Sequence, residues 1–288
     1  MINILVTGGD GQLSKCIWKL TYKIPQTNFI FLSRLELDIT NDLAVTSFFQ
    51  NNNIQYCINC AAYTNVDKAE QRVELATKIN AHAVRNLANA CKIYNTTLIQ
   101  ISTDYVFDGN KTTPYKEKDK TNPINQYGKS KLLGEKYIKE ELENYFIVRT
   151  SWLYSEFESN FMKTMIKLSN NKETLSIVED QIGTPTYAAD LAEVILKLIV
   201  SNNNQYGIYH YSNEGLASWY DFAKAIFEER KSNIKLIPIK TDEYPTHAQR
   251  PQFSALDKKK IKTNLNITIP HWRDSLKIAI KNYNESQS

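Results

Sequence analysis

Cysteine is scarce in this sequence. Four cysteines in 288 residues are too few for the disulfide scaffold of a small secreted protein. Cys57 and Cys60 form the one close pair, and they lie within the stretch 54–62, which has the composition of a buried strand. Redox pairs sit at helix starts and a zinc site needs a second pair of ligands. We therefore expect Cys57 and Cys60 to belong to the core.

Long apolar runs, charge of one sign and metal-ligand spacings are also missing. The longest apolar stretch, Leu191 to Val200, is about half a membrane span and carries Glu193 and Lys197, so we expect no membrane contact. The first residues run into glycines without a basic region or cleavage site, which predicts a cytoplasmic protein. The net charge of +4 is spread along the chain, and the four histidines show no metal-ligand spacing. We therefore expect neither nucleic acid as a partner nor a catalytic metal.

The composition is that of a globular protein, with 42% apolar and 23% charged residues. Apolar runs alternate regularly with amphipathic segments along the first half of the chain. The predicted strands of the first half are 2–7, 29–32, 56–59, 97–101 and 146–150, and the predicted helices are 12–22, 42–51, 73–94 and 125–144. In the second half we predict helices 160–170, 187–200 and 218–231 and strands 175–178 and 207–212. The alternation predicts an α/β fold with a Rossmann-like, doubly wound parallel sheet.

This pattern also divides the chain into two parts. We place the Rossmann domain at residues 1–150 and a smaller, mainly substrate-binding C-terminal domain at residues 151–288, because the alternation loosens after residue 152. No linker of low complexity separates the two. We therefore expect some elements of the second part to return to the main sheet.

A glycine-rich turn follows the first predicted strand. Its Gly8-x-x-Gly11 spacing, directly before Gln12 and Leu13, allows a tight turn and lets backbone N–H groups approach a pyrophosphate at a helix start. The position between a strand and a helix predicts an NAD(P) site, whereas the alternative is a plain connecting turn. Ser14 stands where a third glycine would be expected, so the helix must pack on the sheet around a small hydroxyl group.

The end of the second predicted strand indicates which dinucleotide binds. An acid there binds the ribose hydroxyls of NAD, whereas an arginine accommodates the 2′-phosphate of NADP. The strand ends Leu32-Ser33-Arg34, which favours NADPH. Glu36 is close enough to leave NADH possible, and Arg34 has a solvated surface position as its alternative.

Tyr127 and Lys131 are candidates for acid–base chemistry. A phenol and an ammonium group four residues apart project from the same face of a helix. The helix follows a strand that ends in Ser102-Thr103-Asp104, at the edge of the sheet where ligands bind. The alternative for the two hydroxyl groups is a capping role, but the glycine turn and Tyr127 together favour a catalytic one.

A second Tyr-x-x-x-Lys pair occurs at Tyr220 and Lys224. It lies in the second half, on a predicted amphipathic helix whose Trp219, Phe222 and Phe227 indicate packing into the core. The spacing alone does not distinguish the two pairs, since a sequence rich in tyrosine and lysine produces it by chance. The context favours Tyr127 and Lys131.

Further segments have the order and residues of a known family. They are 8–13, 38–40, 60–70, 102–107, 149–152, 180–186 and 250–251. Together with Tyr127 and Lys131 they extend over nearly the whole chain. The sequence resembles the extended short-chain dehydrogenases/reductases and, among them, the dTDP-4-dehydrorhamnose reductases.

The resemblance implies that short segments bind the cofactor at its pyrophosphate, its adenine end and its ribose and nicotinamide. Their residues are, in that order, Gly11, Gln12 and Leu13, then Asp38 and Ile39, then Ala62, Tyr63 and Thr64. Tyr127 and Lys131 would complete the contact with the cofactor.

The resemblance also implies the reaction. Hydride would pass from NADPH to C4 of dTDP-4-dehydro-β-L-rhamnose, and Tyr127 would give a proton to the ketone oxygen, its pKa lowered by Lys131. Thr103 would support Tyr127. The implied contacts with the dTDP-4-keto-6-deoxy sugar come from Thr103, Asp104, Trp152 and Arg250, although Trp152 could belong to the core and Arg250 to a surface salt bridge.

Other functions stay open on the sequence alone. Related dehydratases carry two acids after the active-site threonine, whereas only Asp104 follows Thr103 here. An epimerase, a 4-ketosugar reductase that forms a 6-deoxytalose, or a regulatory subunit that binds NADP without turnover would share the fold. The sequence does not determine which face of the ketone receives hydride. A homodimer is the commonest state for such an enzyme.

Overall fold

The computed structural model describes residues 1–201 and 204–286. The strands are β1 Ile2–Thr7, β2 Thr27–Leu32, β3 Tyr56–Asn59, β4 Thr97–Thr103, β5 Tyr145–Thr150, β6 Leu153–Tyr154, β7 Thr174–Val178, β8 Ile182–Gly183, β9 Thr186–Tyr187, β10 Gly207–His210, β11 Ala217–Ser218 and β12 Lys235–Ile239. The α-helices are α1 Gln12–Leu20, α2 Asp42–Asn51, α3 Val66–Gln71, α4 Val73–Thr77, α5 Ala83–Ile93, α6 Gln126–Glu141, α7 Phe161–Ser169, α8 Ala188–Val200, α9 Trp219–Glu229, α10 Lys259–Leu265 and α11 Trp272–Glu285.

Six parallel strands form the central sheet, in the order β10-β5-β4-β3-β1-β2. The chain leaves β1 for β2 on one side and then crosses to β3 on the other, so the direction of winding reverses between β1 and β3. Ligands of such sheets bind at the carboxyl ends of the strands beside this reversal. The predicted Rossmann-like, doubly wound α/β class is confirmed.

The central strands of the sheet are buried on both faces, and most of their residues are apolar. Ile4 and Val6 of β1 pack into one cluster, with α1, α8 and α10, whereas Leu5 packs into the cluster on the other face, with α2, α5 and α6. Alternate residues of a strand point to opposite faces. A strand covered on both sides therefore reads as the continuous apolar run seen in the sequence.

The second half of the chain contributes to this sheet and also has a core of its own. Strand β10 pairs with β5, and α8 packs against α1. Helices α7, α9 and α11 enclose a separate apolar cluster that includes Phe222 and Trp272. The boundary at residue 150 and the substrate-binding role of the second part stay predictions.

Some elements differ from those predicted. The predicted helix 73–94 is divided into α4, a π-helical turn at Lys78–His82, and α5. At this turn α6 passes so close that a Cβ on Gly134 would lie 2.2 Å from the carbonyl oxygen of Asn80. Helices α3, α10 and α11 and strand β12 were not predicted. Within the described ranges, no helix combines the length and apolar character needed to cross a membrane.

Candidate active site

A cavity of about 520 Å³ lies at the carboxyl ends of the parallel strands. Residues of the glycine turn, of β4 and α6, and of the second half of the chain line it together. The predicted site residues in its wall are Gly11, Gln12, Leu13, Ala62, Thr64, Thr103, Asp104, Tyr127, Lys131, Trp152 and Arg250. Those that do not line it are Gly8, Arg34, Asp38, Ile39 and Tyr63.

The glycine turn has the shape that a diphosphate requires. Gly8 has a φ of +65°, and a Cβ there would lie 2.8 Å from the backbone nitrogen of Ala61. The N–H of Gly11 donates to the carbonyl of Gly8 at 2.9 Å, which closes the turn just before α1. Among the described residues no side chain caps α1 and no acid lies in its first turn. Its first N–H groups, from Gln12 onward, are thus available to an anion.

The end of β2 lies outside the cavity wall. Arg34 is 73% exposed at its side chain, and its Nε lies 3.5 Å from a carboxylate oxygen of Asp38. Glu36 accepts a hydrogen bond of 2.7 Å from the N–H of Ser33, so this acid is engaged by its own loop. Ile39 is buried in the core beneath α2. An exposed guanidinium group of this kind can turn toward a ribose 2′-phosphate.

Asn80, in the π-helical turn, ties the loop at 62–64 to the helix of Tyr127. Its Oδ1 accepts from the N–H of Tyr63 at 2.8 Å, and its Nδ2 donates to the Tyr63 carbonyl and to Ser130 Oγ, each at 3.0 Å. Ser130 Oγ in turn donates to the carbonyl of Tyr127 at 2.8 Å. The sequence reasoning missed Asn80. The sequence offered one signal, an asparagine inside a predicted helix. Its burial is known only from the structure.

Thr103, Tyr127 and Lys131 meet at one edge of the sheet. Thr103 is the last residue of β4, and the other two lie one turn apart on α6. The start of α6 is fixed by Asn125, whose Oδ1 accepts from the N–H of Gly128 at 2.8 Å. The ammonium group of Lys131 donates to the carbonyl of Ile101 at 2.7 Å. This bond anchors the helix to β4 two residues before Thr103.

Burial determines the protonation states of this group. It raises the pKa of Tyr127 to about 12, although a hydrogen bond with Thr103 acts in the opposite direction. It lowers the pKa of Lys131 to about 8. The sequence led us to expect that Lys131 lowers the pKa of Tyr127, but in this structure burial, with the nearby charge of Asp104, raises it instead. Tyr127 therefore holds its proton at neutral pH.

Asp104 presents an oxygen without a donor. Its side chain is 2% exposed, and Thr103 Oγ1 donates to its Oδ1 at 3.0 Å. Within the part of the chain that is described, Oδ2 has no hydrogen-bond partner. Burial raises the pKa of Asp104 to about 7. A buried oxygen of this kind at a cavity can accept a hydrogen bond from a hydroxyl group of a ligand.

Arg250 lines the cavity and also takes part in an ion pair. Its Nη2 lies 2.7 Å from Asp67 Oδ2, and the N–H of Ala248 donates to the other oxygen of Asp67 at 3.2 Å. The guanidinium group is only 20% exposed at its side chain. It has both the cavity position and the salt bridge that the sequence reasoning treated as alternatives.

A buried ion pair that the sequence did not indicate holds α6, the helix of Tyr127 and Lys131, against β5. Arg149 on β5 donates to both carboxylate oxygens of Glu135 on α6, at 2.9 and 2.6 Å. Glu135 also accepts from Ser102 Oγ at 2.6 Å. Next to Arg149, burial lowers the pKa of His210 to about 3, so this imidazole is neutral. Within the described residues, no group of three His, Cys, Asp or Glu side chains could hold a metal ion.

The competing pair, Tyr220 and Lys224, lies at a separate surface groove. Phe222 and Phe227 are buried as expected. Trp219 is different: it lines the main cavity, and its ring stacks on that of Trp152 with centroids 3.6 Å apart. Trp219 packs against the core cluster of α7, α9 and α11, as expected, and its position in the cavity wall is a further finding that the sequence did not indicate.

Comparison with known proteins identifies the family. The RmlD substrate binding domain family matches residues 2–285. The dTDP-4-dehydrorhamnose reductase of Aggregatibacter actinomycetemcomitans is 42% identical over 96% of this chain and 98% of that protein. Crystal structures of dTDP-4-dehydrorhamnose reductases from Clostridium acetobutylicum and, in complex with NADP, from Bacillus anthracis are 43% and 40% identical. Both have a TM-score of 0.93 and cover 98% of this chain and 100% of their own. The resemblance noted in the sequence is confirmed, and the chain belongs to the RmlD family of dTDP-4-dehydrorhamnose reductases.

Proposed function

We propose that this reductase converts dTDP-4-dehydro-β-L-rhamnose into dTDP-L-rhamnose, with NADPH as the hydride donor and Tyr127 as the proton donor. The observation that carries the proposal is that the glycine turn and the group of Thr103, Tyr127 and Lys131 line one cavity. A dinucleotide held at the turn and a ketone placed at Tyr127 would share this space.

The side chains suit a reduction. Tyr127 retains its proton at neutral pH because burial raises its pKa to about 12, and a general acid must hold the proton that it donates. Thr103 lies beside the phenol and favours its ionised form, which would ease loss of the proton. Lys131, charged below about pH 8, places a positive group where a phenolate forms as the proton leaves. NADPH, when bound, supplies the hydride.

The cofactor fits the residues present. The uncapped start of α1 and the turn at Gly8, which only a residue without a Cβ can form, make a cradle for the pyrophosphate. The side chain of Asn80 hydrogen-bonds both the N–H and the carbonyl of Tyr63. These bonds fix the loop that would lie against the ribose. We assign the 2′-phosphate to Arg34, and the adenine end to Asp38 and the backbone near Ile39.

The substrate would bind through groups of different character. Oδ2 of Asp104 would accept a sugar hydroxyl, which would also remedy its lack of a partner. Arg250 would contact the diphosphate of the dTDP-4-keto-6-deoxy sugar, and this contact competes with Asp67 for the guanidinium group. Trp152 would contact the sugar ring.

The test is a reaction with the substrate generated in situ from dTDP-glucose by the upstream dehydratase and epimerase. We expect loss of NADPH absorbance and a product that NMR identifies as dTDP-L-rhamnose. A 6-deoxytalose product would overturn the stereochemical part of the proposal. NADPH binding without oxidation would overturn the reductase assignment and favour an epimerase or a regulatory subunit.

We also propose a cytoplasmic location and a homodimer. All four cysteines are free, and three of them are fully buried, which suits a reducing compartment. The exposed Trp18 and Tyr22, 64% and 72% accessible, are large apolar groups on one side of the molecule that a second copy could cover. Light scattering of the purified protein measures the mass, and a monomer at all concentrations would contradict the dimer.

A further inference from the structure

The segments by which the sequence resembles its family include one, 180–186, to which the proposed chemistry assigns no role. This segment lies behind two tryptophans of the cavity. The rings of Trp152 and Trp219 stack with centroids 3.6 Å apart and an interplanar angle of 9°, and both line the cavity. We call these two rings the indole wall and residues 180–186 the indole support.

The backbone of Trp152 needs such a support. Its φ is +46°, in the left-handed region that L side chains rarely adopt. The N–H of Thr186 donates to its carbonyl at 3.1 Å. Its ring lies against Gly183, where an added Cβ would come within 2.8 Å of Cε2 of the indole. Any larger residue at position 183 would displace the Trp152 ring.

Trp219 is fixed from its other sides. It is the first residue of α9, whose start is closed by a capping box between Ser218 and Asp221. The indole N–H donates to Gln181 Oε1 at 3.1 Å. Gln181 is buried, and its own Nε2 donates to Thr241 Oγ1 at 3.1 Å. The ring of Trp219 is thus held in one orientation, with one face against Trp152.

The indole wall contrasts with the remaining polar surface of the cavity. Hydroxyl, carboxyl and ammonium groups come from Thr103, Asp104 and Lys131. A 6-deoxy sugar has hydroxyl groups that match the polar side, whereas its methyl group and its C–H bonds pack well on an aromatic face. The two kinds of surface can therefore determine which way round the ring of a 4-keto-6-deoxy sugar binds.

We propose that Trp219 is a substrate-positioning residue: with the indole support, it holds Trp152 as the apolar wall against which the methyl group and C–H face of the ketosugar pack. The proposal rests on the proposed function for the identity of the sugar. Trp219 acts through Trp152, whose unfavourable backbone conformation would relax once the stacked ring is removed.

The test compares Trp219→Leu with the unmodified protein in steady-state kinetics and in calorimetric binding of dTDP-L-rhamnose. We expect the KM for the ketosugar and the Kd for the product to rise about tenfold, since a stacked aromatic contact of this kind is worth about one such factor. The KM for NADPH and the kcat should change less than about twofold, because Trp219 is outside the catalytic group. Trp219→Phe, which keeps an aromatic face, should recover most of the loss.

A spectroscopic signature reports the stack itself. Two parallel indoles at this distance give an exciton couplet in far-ultraviolet circular dichroism, which Trp219→Leu should abolish. The matched control is Trp18→Leu, the same change at an exposed position on α1, which should keep the couplet and the KM. Because Trp18 lies on the surface proposed for the homodimer, light scattering of this variant accompanies both measurements. If Trp219→Leu does not fold, Gln181→Met removes only the acceptor of the indole N–H and should raise the KM for the ketosugar in the same direction.

Loss of the couplet with unchanged KM and Kd for the sugar nucleotides would overturn the inference. Equal increases in the KM for NADPH and for the ketosugar would also overturn it, because they indicate a general structural defect. A failure of the proposed function is distinct: the unmodified protein would then not reduce the ketosugar, whereas binding of dTDP sugars would still depend on Trp219.

Discussion

The cavity has two walls that arise in different ways. Thr103, Tyr127 and Lys131, which we call the catalytic wall, come from β4 and α6, and a hydrogen bond from Lys131 to the carbonyl of Ile101 ties the helix to the strand. The indole wall comes from a loop after β5 and the first residue of α9, 67 positions apart in the sequence numbering. The comparison shows that the regular α/β topology positions the reactive side chains of this site. Tertiary contacts among irregular segments determine the shape of the cavity around them.

The two walls also differ in how they tolerate change. In the proposed mechanism the groups of the catalytic wall act through protons and charges, so their removal should reduce turnover. Groups of the indole wall act through fit, so their displacement should weaken binding of the sugar nucleotide and leave turnover nearly intact. The four predictions below run from the largest expected effect to the smallest.

The first prediction concerns Tyr127, the proposed proton donor of the catalytic wall. Tyr127→Phe should reduce kcat by about 100- to 10,000-fold, the range typical of general acid catalysis, and leave the Kd for NADPH within a few-fold. Stopped turnover with the cofactor still bound, measured by absorbance and by calorimetry, is the expected result. Tyr220→Phe is the matched control, since Tyr220 lies outside the main cavity. A larger loss in Tyr220→Phe would reverse the assignment.

The second prediction concerns pH. Burial lowers the pKa of Lys131 from 10.5 to about 8, so kcat/KM should fall roughly tenfold for each pH unit above that value. The stability contribution of Lys131 changes in the opposite sense: between these two values the unfolded chain binds more protons than the folded one, so this contribution rises with pH. Activity should therefore be lost without unfolding, which circular dichroism at each pH checks. A flat profile to pH 10 would exclude a charged Lys131 as a requirement.

The third prediction concerns Gly183, which lies against the Trp152 ring of the indole wall. Gly183→Ala places a methyl group into the ring of Trp152 and should raise the KM for the ketosugar about tenfold, with a loss of about 1–3 kcal/mol in the free energy of unfolding. The double variant Gly183→Ala/Trp152→Phe has a smaller ring and should recover the stability. If the single variant lowered kcat and left the KM unchanged, the indole wall would affect turnover rather than binding of the sugar nucleotide, contrary to the proposal.

The fourth prediction lies outside both walls. Arg34→Ala should raise the KM for NADPH by about three- to tenfold and the KM for NADH by less, because only NADPH carries the 2′-phosphate. Arg85→Ala, at another exposed arginine, should change neither value. Equal effects of Arg34→Ala on both cofactors would show that Glu36 and Asp38, rather than Arg34, determine the choice.

Most of the first half could be predicted because its signals are local. Strands β1 and β3 and helix α2 have the predicted bounds, since continuous apolar runs and 3.6-residue periodicity come directly from burial on a sheet. The helices α10 and α11 and the strand β12 were missed. They are short or mixed in composition, and their burial depends on neighbours distant in sequence.

The site divides in the same way. That Tyr127 and Lys131 line one cavity with Thr103 was predictable, because a helical turn places the first two together and a parallel strand ends at the ligand edge. Their catalytic roles stay predictions. Asn80, Glu135 and Trp219 were not. Each gains its role from a partner on another element: Asn80 from the backbone of Tyr63, Glu135 from Arg149, and Trp219 from Trp152.

The sequence by itself determined the doubly wound sheet and the glycine turn, because these depend on residue types at short, regular spacings, and its resemblance to known segments gave the family. Only the tertiary structure decided that Tyr127 keeps its proton and that Lys131 loses its proton more readily, since burial, which is set by the whole fold, shifts both pKa values. It also decided that two distant tryptophans form one wall. No local pattern encodes a contact whose two rings meet only after the elements carrying them have packed.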